Sequence, residues 1–133
     1  MPMPRVNFLG GPQFYNLQCA SAALVEAFGT QAIYLVGSAL ERRDSRDVDI
    51  RCELPDTEFD RLFPRSAGFS PNAADPFWCL VNAALSEWLQ RRIDPDLPVD
   101  FQVQRRTQVD QQEAGHRKYQ LAGFRSQEPR AKS

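Results

Sequence analysis

The sequence predicts a small mixed α/β domain, and three observations carry that prediction. Segments of strand character, 32–36, 48–54 and 99–104, alternate with stretches whose apolar residues recur every three or four positions. With 133 residues, the chain has the length of one ordinary domain. Leu, Ile, Val and Phe make up about a quarter of it, above the roughly 20% below which disorder is expected, so it can bury a real core.

Taken in order, residues 1–15 are expected to form an N-terminal arm, because Pro2, Pro4, Pro12 and the pair Gly10-Gly11 favour extended chain and turns. Residues 16–122 form a single domain, and 123–133 a tail expected to be disordered. From Asn16 a helix is expected: Leu17, Ala20, Leu24 and Phe28 share one side, and Gly29 stops it. Ala32-Ile33-Tyr34-Leu35-Val36 is an unbroken apolar run ended by Gly37, which suits a fully buried strand. One helical turn is expected at Ala39–Arg42. Val48–Leu54 alternates with period two, so Val48, Ile50, Cys52 and Leu54 face the core. Pro55-Asp56 starts a short helix carrying Phe59, Leu62 and Phe63, and Pro64 closes it.

After a loop at 64–74, Asp75 suits a helix cap and Pro76 a first-turn position. The helix they open runs to Arg92 with Phe77, Leu80, Leu85 and Leu89 as core residues. Trp78 and Trp88 lie on the same helix and read as packing residues before any base-stacking role. Val99–Gln104 alternates again, with its odd positions apolar. A last helix is expected at 108–119, with His116-Arg117-Lys118-Tyr119 at its exposed end.

Charge and rare residues narrow the chemistry. Sixteen Lys and Arg against seventeen Asp and Glu leave a net charge of −1, which excludes coating of nucleic acid by bulk positive charge. No apolar run approaches the length of a membrane span and the N-terminus lacks the apolar core of a signal peptide, so a cytoplasmic protein with no membrane partner is expected. Cys19, Cys52 and Cys79 are odd in number and widely spaced, and read as buried thiols rather than a disulfide frame. His116 is the only histidine, which excludes multi-His zinc sites and leaves oxygen ligands, hence hard cations such as Mg2+ or Mn2+. The glycine patterns of P-loop and Rossmann sites are missing from the sequence.

One constellation stands out. Gly37-Ser38 ends one strand and Asp47-Val48-Asp49 begins the next. Residues i and i+2 of a strand point to the same side, so Asp47 and Asp49 project together. Asp100, between Val99 and Phe101, has the same outward parity on a third strand. If that strand pairs with the second, three carboxylates converge, and like charges that close require a cation. Such a triad suits a two-metal site for in-line phosphoryl transfer. Arg42, Arg43 and Arg46 lie in the intervening segment and Arg51 continues the Asp47/Asp49 face, so one or two of them can offset phosphate charge.

Leu35-Val36-Gly37-Ser38, a spacer, Asp47-Val48-Asp49-Ile50 and the later Asp100 together resemble the nucleotidyltransferase superfamily that includes DNA polymerase β. The resemblance covers residues 16–104 and is strongest to minimal, stand-alone members. It implies an α+β fold with a mixed sheet of about three to five strands, an ordinary sheet size, and helices packed on one side. It implies that Asp47 and Asp49 ligate two divalent ions, Mg2+ or Mn2+, and that Asp100 binds one of them and helps deprotonate the attacking hydroxyl. Gly37 and Ser38 would bind phosphate, assisted by Arg42 and Arg46. The implied activity is transfer of a nucleoside monophosphate from an NTP such as ATP to a hydroxyl or phosphate acceptor, with release of pyrophosphate. That acceptor is a protein, an RNA end or a small molecule.

Each piece alone has an ordinary explanation: an Asp-Val-Asp at a strand start is usually a solvated edge, and Gly-Ser after a strand is usually a turn. Their order and spacing lift the set above its parts. The alternative is a catalytically silent module of the same fold, such as the antitoxin-like or regulatory half of a two-component pair. A protein partner or a homo-oligomer fits either reading, since a chain this short has no room for a second, substrate-holding domain.

Overall fold

The computed structural model describes residues 10–37, 47–68, 70–112 and 118–122. Helix α1 spans Gly11–Phe28, five residues earlier than the expected start at Asn16, so the arm ends before residue 11. Gly-Gly-Pro reads as a turn, yet proline is tolerated in a first helical turn, where its missing N–H has no partner to lose. The Gly10 backbone N–H donates to Gln13 Oε1 at 2.9 Å, closing that turn. Gly29 ends α1 at φ 66°, in the left-handed region, and donates its N–H to the Val25 carbonyl.

Strand β1 is Ile33–Val36, β2 is Val48–Leu54 and α2 is Asp56–Leu62. Two 3-10 turns, Pro64–Ser66 and Asn72–Ala74, occupy the expected loop. Helix α3 covers Pro76–Ile93, β3 Val99–Arg105 and α4 Arg106–Gln112. The cap of α3 is as expected: Asp75 Oδ1 accepts from the Phe77 N–H at 2.8 Å, and its other oxygen accepts from the Arg65 N–H at 3.0 Å.

The expected helix at 108–119 is corrected. It is α4, which stops at Gln112, and a strand β4 at Lys118–Gln120, with His116 and Arg117 outside the described residues. Three residues are too few to show an alternating pattern. The helical turn expected at 39–42 and the tail at 123–133 also lie outside the described residues.

The four strands form one mixed sheet in the order β3-β2-β1-β4. β1 is antiparallel to both β2 and β4, whereas β2 and β3 run parallel. The predicted α+β class is therefore observed. Helices α1, α2 and α3, with Phe63 directly after α2, contribute Leu17, Leu24, Phe59, Phe63, Leu89 and Ile93 to the core shared with Val48, Ile50, Cys52, Phe101 and Val103, whereas Phe77 and Leu80, expected in the core, are exposed on α3. Alternation in β2 and β3 thus has the parity read from the sequence.

Helix α3 also seals the outer edge of β3. Trp78 Nε1 donates to the Val103 carbonyl at 2.8 Å, and Asn82 Oδ1 accepts from the Val103 N–H at 3.1 Å. Ser86 Oγ accepts from the Phe101 N–H at 2.9 Å. These residues recur every fourth position, on one helix face, and satisfy edge groups that would otherwise template further pairing. Trp78 is thus a packing residue with a fixed hydrogen bond, and the Trp88 ring lies 4.1 Å from the Arg92 guanidinium.

The cysteine expectation holds only for Cys52. Cys19 and Cys79 are exposed, because each sits on the outward side of its helix. Cys52 lies within β2 on the core side, and burial pushes its thiol up to about 12, with the Glu53 carboxylate adding to the shift.

Candidate functional site

The carboxylates stand where β1 ends and β2 begins. Asp47 precedes β2 and is exposed, and Asp49 is its second residue and half-buried. In the β2–β3 ladder Asp49 is the direct neighbour of Asp100. Both strands put their odd-numbered or even-numbered apolar residues into the core, so the two carboxylates share the opposite face. On β1, Val36 pairs with Asp49 and is followed by Gly37.

Gly37 has φ 79°, a conformation that side chains rarely adopt. A Cβ at this position would run into the Asp49 carboxylate. Glycine is needed here for both reasons, and the chain passes closer to Asp49 than any other residue would allow. The resemblance gives Gly37 to phosphate; what lies against it in the structure is the Asp49 side chain. Ser38, Arg42, Arg43 and Arg46 lie outside the described residues.

Asp100 has partners that sequence reasoning did not assign. Arg51 Nη2 lies 3.3 Å from Asp100 Oδ2, and Arg51 Nη1 donates to the Asp100 carbonyl at 3.0 Å and the Ile50 carbonyl at 3.1 Å. Gln102 Nε2 donates to the same Oδ2 at 3.3 Å, and Gln104 Nε2 donates to Gln102 Oε1 at 3.3 Å. Both side-chain contacts fall on Oδ2, so Asp100 Oδ1 takes no bond from a described residue. The Arg51 side chain is 15% exposed and that of Asp100 51%. Parity puts Arg51 on the Asp49 face, as one of four arginines of which one or two can offset phosphate charge. Its partner depends on the register between β2 and β3, which parity alone leaves open.

These donors fit a hard cation. Carboxylates from adjacent strand positions supply oxygen ligands, and Mg2+ is commonly held by one or two carboxylates with water and phosphate completing its shell. The expected three-carboxylate cluster is only partly assembled. Asp49 and Asp100 are neighbours, but among the described residues no three acidic, His or Cys side chains are grouped to share one ion. Among the described residues, no helix is long and apolar enough to cross a membrane. Compared with known proteins, the chain matches no family model, no curated protein and no solved structure.

Proposed function

We propose that the protein is a metal-dependent nucleotidyltransferase, acting in the cytoplasm on an NTP and a hydroxyl or phosphate acceptor. The observation that supports this reading most is the in-register pair Asp49–Asp100, with Gly37 held against Asp49 at the adjacent strand end. Asp47, Asp49 and Asp100 would hold Mg2+ or Mn2+, which when bound supplies positive charge to the phosphates. Gly37 would admit a triphosphate close to the backbone, and Ser38, Arg42 and Arg46, in the sequence between β1 and β2, would supply donors for it. Asp100 Oδ1 is the base for the acceptor proton. The acceptor oxygen bonds to the α-phosphorus as its bond to the pyrophosphate oxygen breaks, and pyrophosphate leaves. Positioning and charge neutralisation supply most of the acceleration in such transfers.

The test is transfer of label from α-labelled NTP with Mg2+ or Mn2+, read by intact mass of the protein and candidate acceptors. Asp49→Ala is expected to lower transfer by about 1000-fold or more, the scale on which single electrostatic groups act. Equal transfer by wild type and variant overturns the reading.

The Arg51–Asp100 ion pair favours a second reading, a silent binding module in which that carboxylate is already neutralised. In that case no label moves with any NTP, and a bound protein partner keeps its affinity in Asp47→Asn.

A further inference from the structure

The outward face of α3 is apolar where a surface helix is ordinarily charged. Phe77 and Leu80, expected in the core, are instead 51% and 63% exposed. Pro76, Ala83 and Ala84 are exposed beside them, and α3 has no charged residue from Pro76 to Ser86. The Phe77 ring rests against Phe63, with centroids 5.7 Å apart, so it projects from a fixed base. Single exposed apolar residues are ordinary, whereas a contiguous patch of large ones marks a contact surface.

Charge lies at the two ends of this face, and the signs differ. Arg65 is at the start of α3: its backbone N–H is bonded to Asp75, the cap, and it shares a cleft with Leu62 and Phe77. Glu87 is at the other end, in an exposed pair with Arg91 that contributes little in water. The face is therefore self-complementary. A two-fold axis passing beside Leu80, perpendicular to the helix, sets Leu80 against its own copy and Phe77 against Ala83 and Ala84. The same axis brings Glu87 to the start of α3, where Arg65 sits. The bulky half of each face meets the flat half of the other, and each acidic end meets a basic one, as an isologous contact requires. A lipid surface calls for a mainly basic rim, which this face does not have.

We propose that the protein forms a two-fold dimer through this face, with the α3 helices antiparallel, Leu80 at the axis and Arg65 of each copy paired with Glu87 of the other. The stretch from Pro76 to Glu87 is about 18 Å long. Packing along it buries on the order of 500 Å2 per copy, less than the roughly 800 Å2 of a standard interface, so the dimer is a weak one that forms at micromolar concentrations. None of these residues belongs to the carboxylate site, so failure of the transferase reading leaves the proposal standing.

Sedimentation equilibrium of the full chain from about 2 to 200 µM, the range in which such an interface associates, tests it. The wild-type mass is expected to rise from one chain toward two. Leu80→Glu places two carboxylates at the axis and is expected to weaken association at least about tenfold. Leu80 is exposed, so this variant keeps the fold, which far-ultraviolet circular dichroism checks. Arg65→Glu and Glu87→Arg each bring like charges together twice and are expected to weaken the dimer about three- to tenfold. The double variant Arg65→Glu/Glu87→Arg restores both pairs and is expected to return within about twofold of wild type.

Three results overturn the proposal. One is a wild-type mass of a single chain at the highest concentration. Another is a dimer that folded Leu80→Glu leaves intact, which would place the contact on a different face. The third is a double variant no stronger than its single variants, which would remove the antiparallel pairing. If Leu80→Glu does not fold, the two charge variants and their double decide alone. Binding of a single-chain wild type to phosphatidylglycerol vesicles, lost in Leu80→Glu, would give the face to lipid and overturn the dimer.

Discussion

On the helix-covered side of β2 and β3, Val48, Ile50, Cys52, Val99, Phe101 and Val103 are between 0% and 9% exposed. On the other side, Asp49, Arg51, Asp100 and Gln102 from the same strands keep access to solvent; Arg51 bonds to Asp100 across the ladder, and Gln102 to Asp100 along β3. The two faces are built from alternate residues of one pair of strands. On the first face the identity of a residue is set by volume and by the helices that cover it. On the second it is set by charge, and what matters is which side chain lies beside which. The difference separates stability from chemistry: damage to the packed face should unfold the protein, whereas damage to the charged face should leave it folded and change what it binds.

The largest stability effect expected from this contrast is at Phe101. It is fully buried and lies in register with Ile50, with Phe28 6.1 Å away across the core. Phe101→Ala is expected to lose about 3–5 kcal/mol, from lost transfer energy and the cavity left behind. Asp49→Ala, one strand away on the other face, is expected to change stability by less than about 1 kcal/mol. Urea unfolding followed by circular dichroism measures both. A loss at Asp49 as large as that at Phe101 would mean the charged face is part of the scaffold.

These two residues also show how far the sequence could be read. Parity put Phe101 inside and Asp49 and Asp100 outside, because a period-two pattern requires only a face to bury. Parity does not fix register: slipping β3 by two residues along β2 keeps every residue on its face and moves Asp100 away from Asp49. The Arg51–Asp100 pair depends on that register, so it was not legible, although Arg51 itself was seen on the correct face. Strand β4 was not legible for another reason. It is defined by pairing Tyr34, Leu35 and Val36 with Gln120, Tyr119 and Lys118, and its aromatic residue Tyr119 lies against Phe14. The start of α1 was hidden because its first turn is closed by the Gln13 side chain on Gly10, whereas the local Gly-Gly-Pro signal points to a turn.

A smaller effect separates the faces by titration. Cys52 is on the packed face of β2, and its thiol is pushed from 9.0 up to about 12, chiefly by burial and secondarily by Glu53. The unfolded chain releases this proton first. Stability from the neutral thiol is therefore complete below pH 9 and is lost as the pH rises toward 12. The slope expected across that window is about 1.4 kcal/mol per pH unit. Other groups titrate there too, so the quantity to measure is the difference in slope between wild type and Cys52→Ala. Parallel slopes would show that Cys52 meets more water than its place in the core allows.

The smallest effect lies where the two faces meet, at the outer edge of β3. Trp78, Asn82 and Ser86 hold this edge through the backbone of Val103 and Phe101, so α3 is joined to the strand that carries Asp100. Trp78→Phe keeps most of the ring's packing and removes the single bond from Nε1 to the Val103 carbonyl. A neutral hydrogen bond of this kind contributes about 1 kcal/mol. Urea unfolding should show that loss, while Mn2+ affinity stays unchanged, because Asn82 and Ser86 still hold the edge and the Asp49–Asp100 register with it. A weaker Mn2+ site in this variant would mean that the edge controls the placement of β3, and that packing and chemistry are coupled through α3.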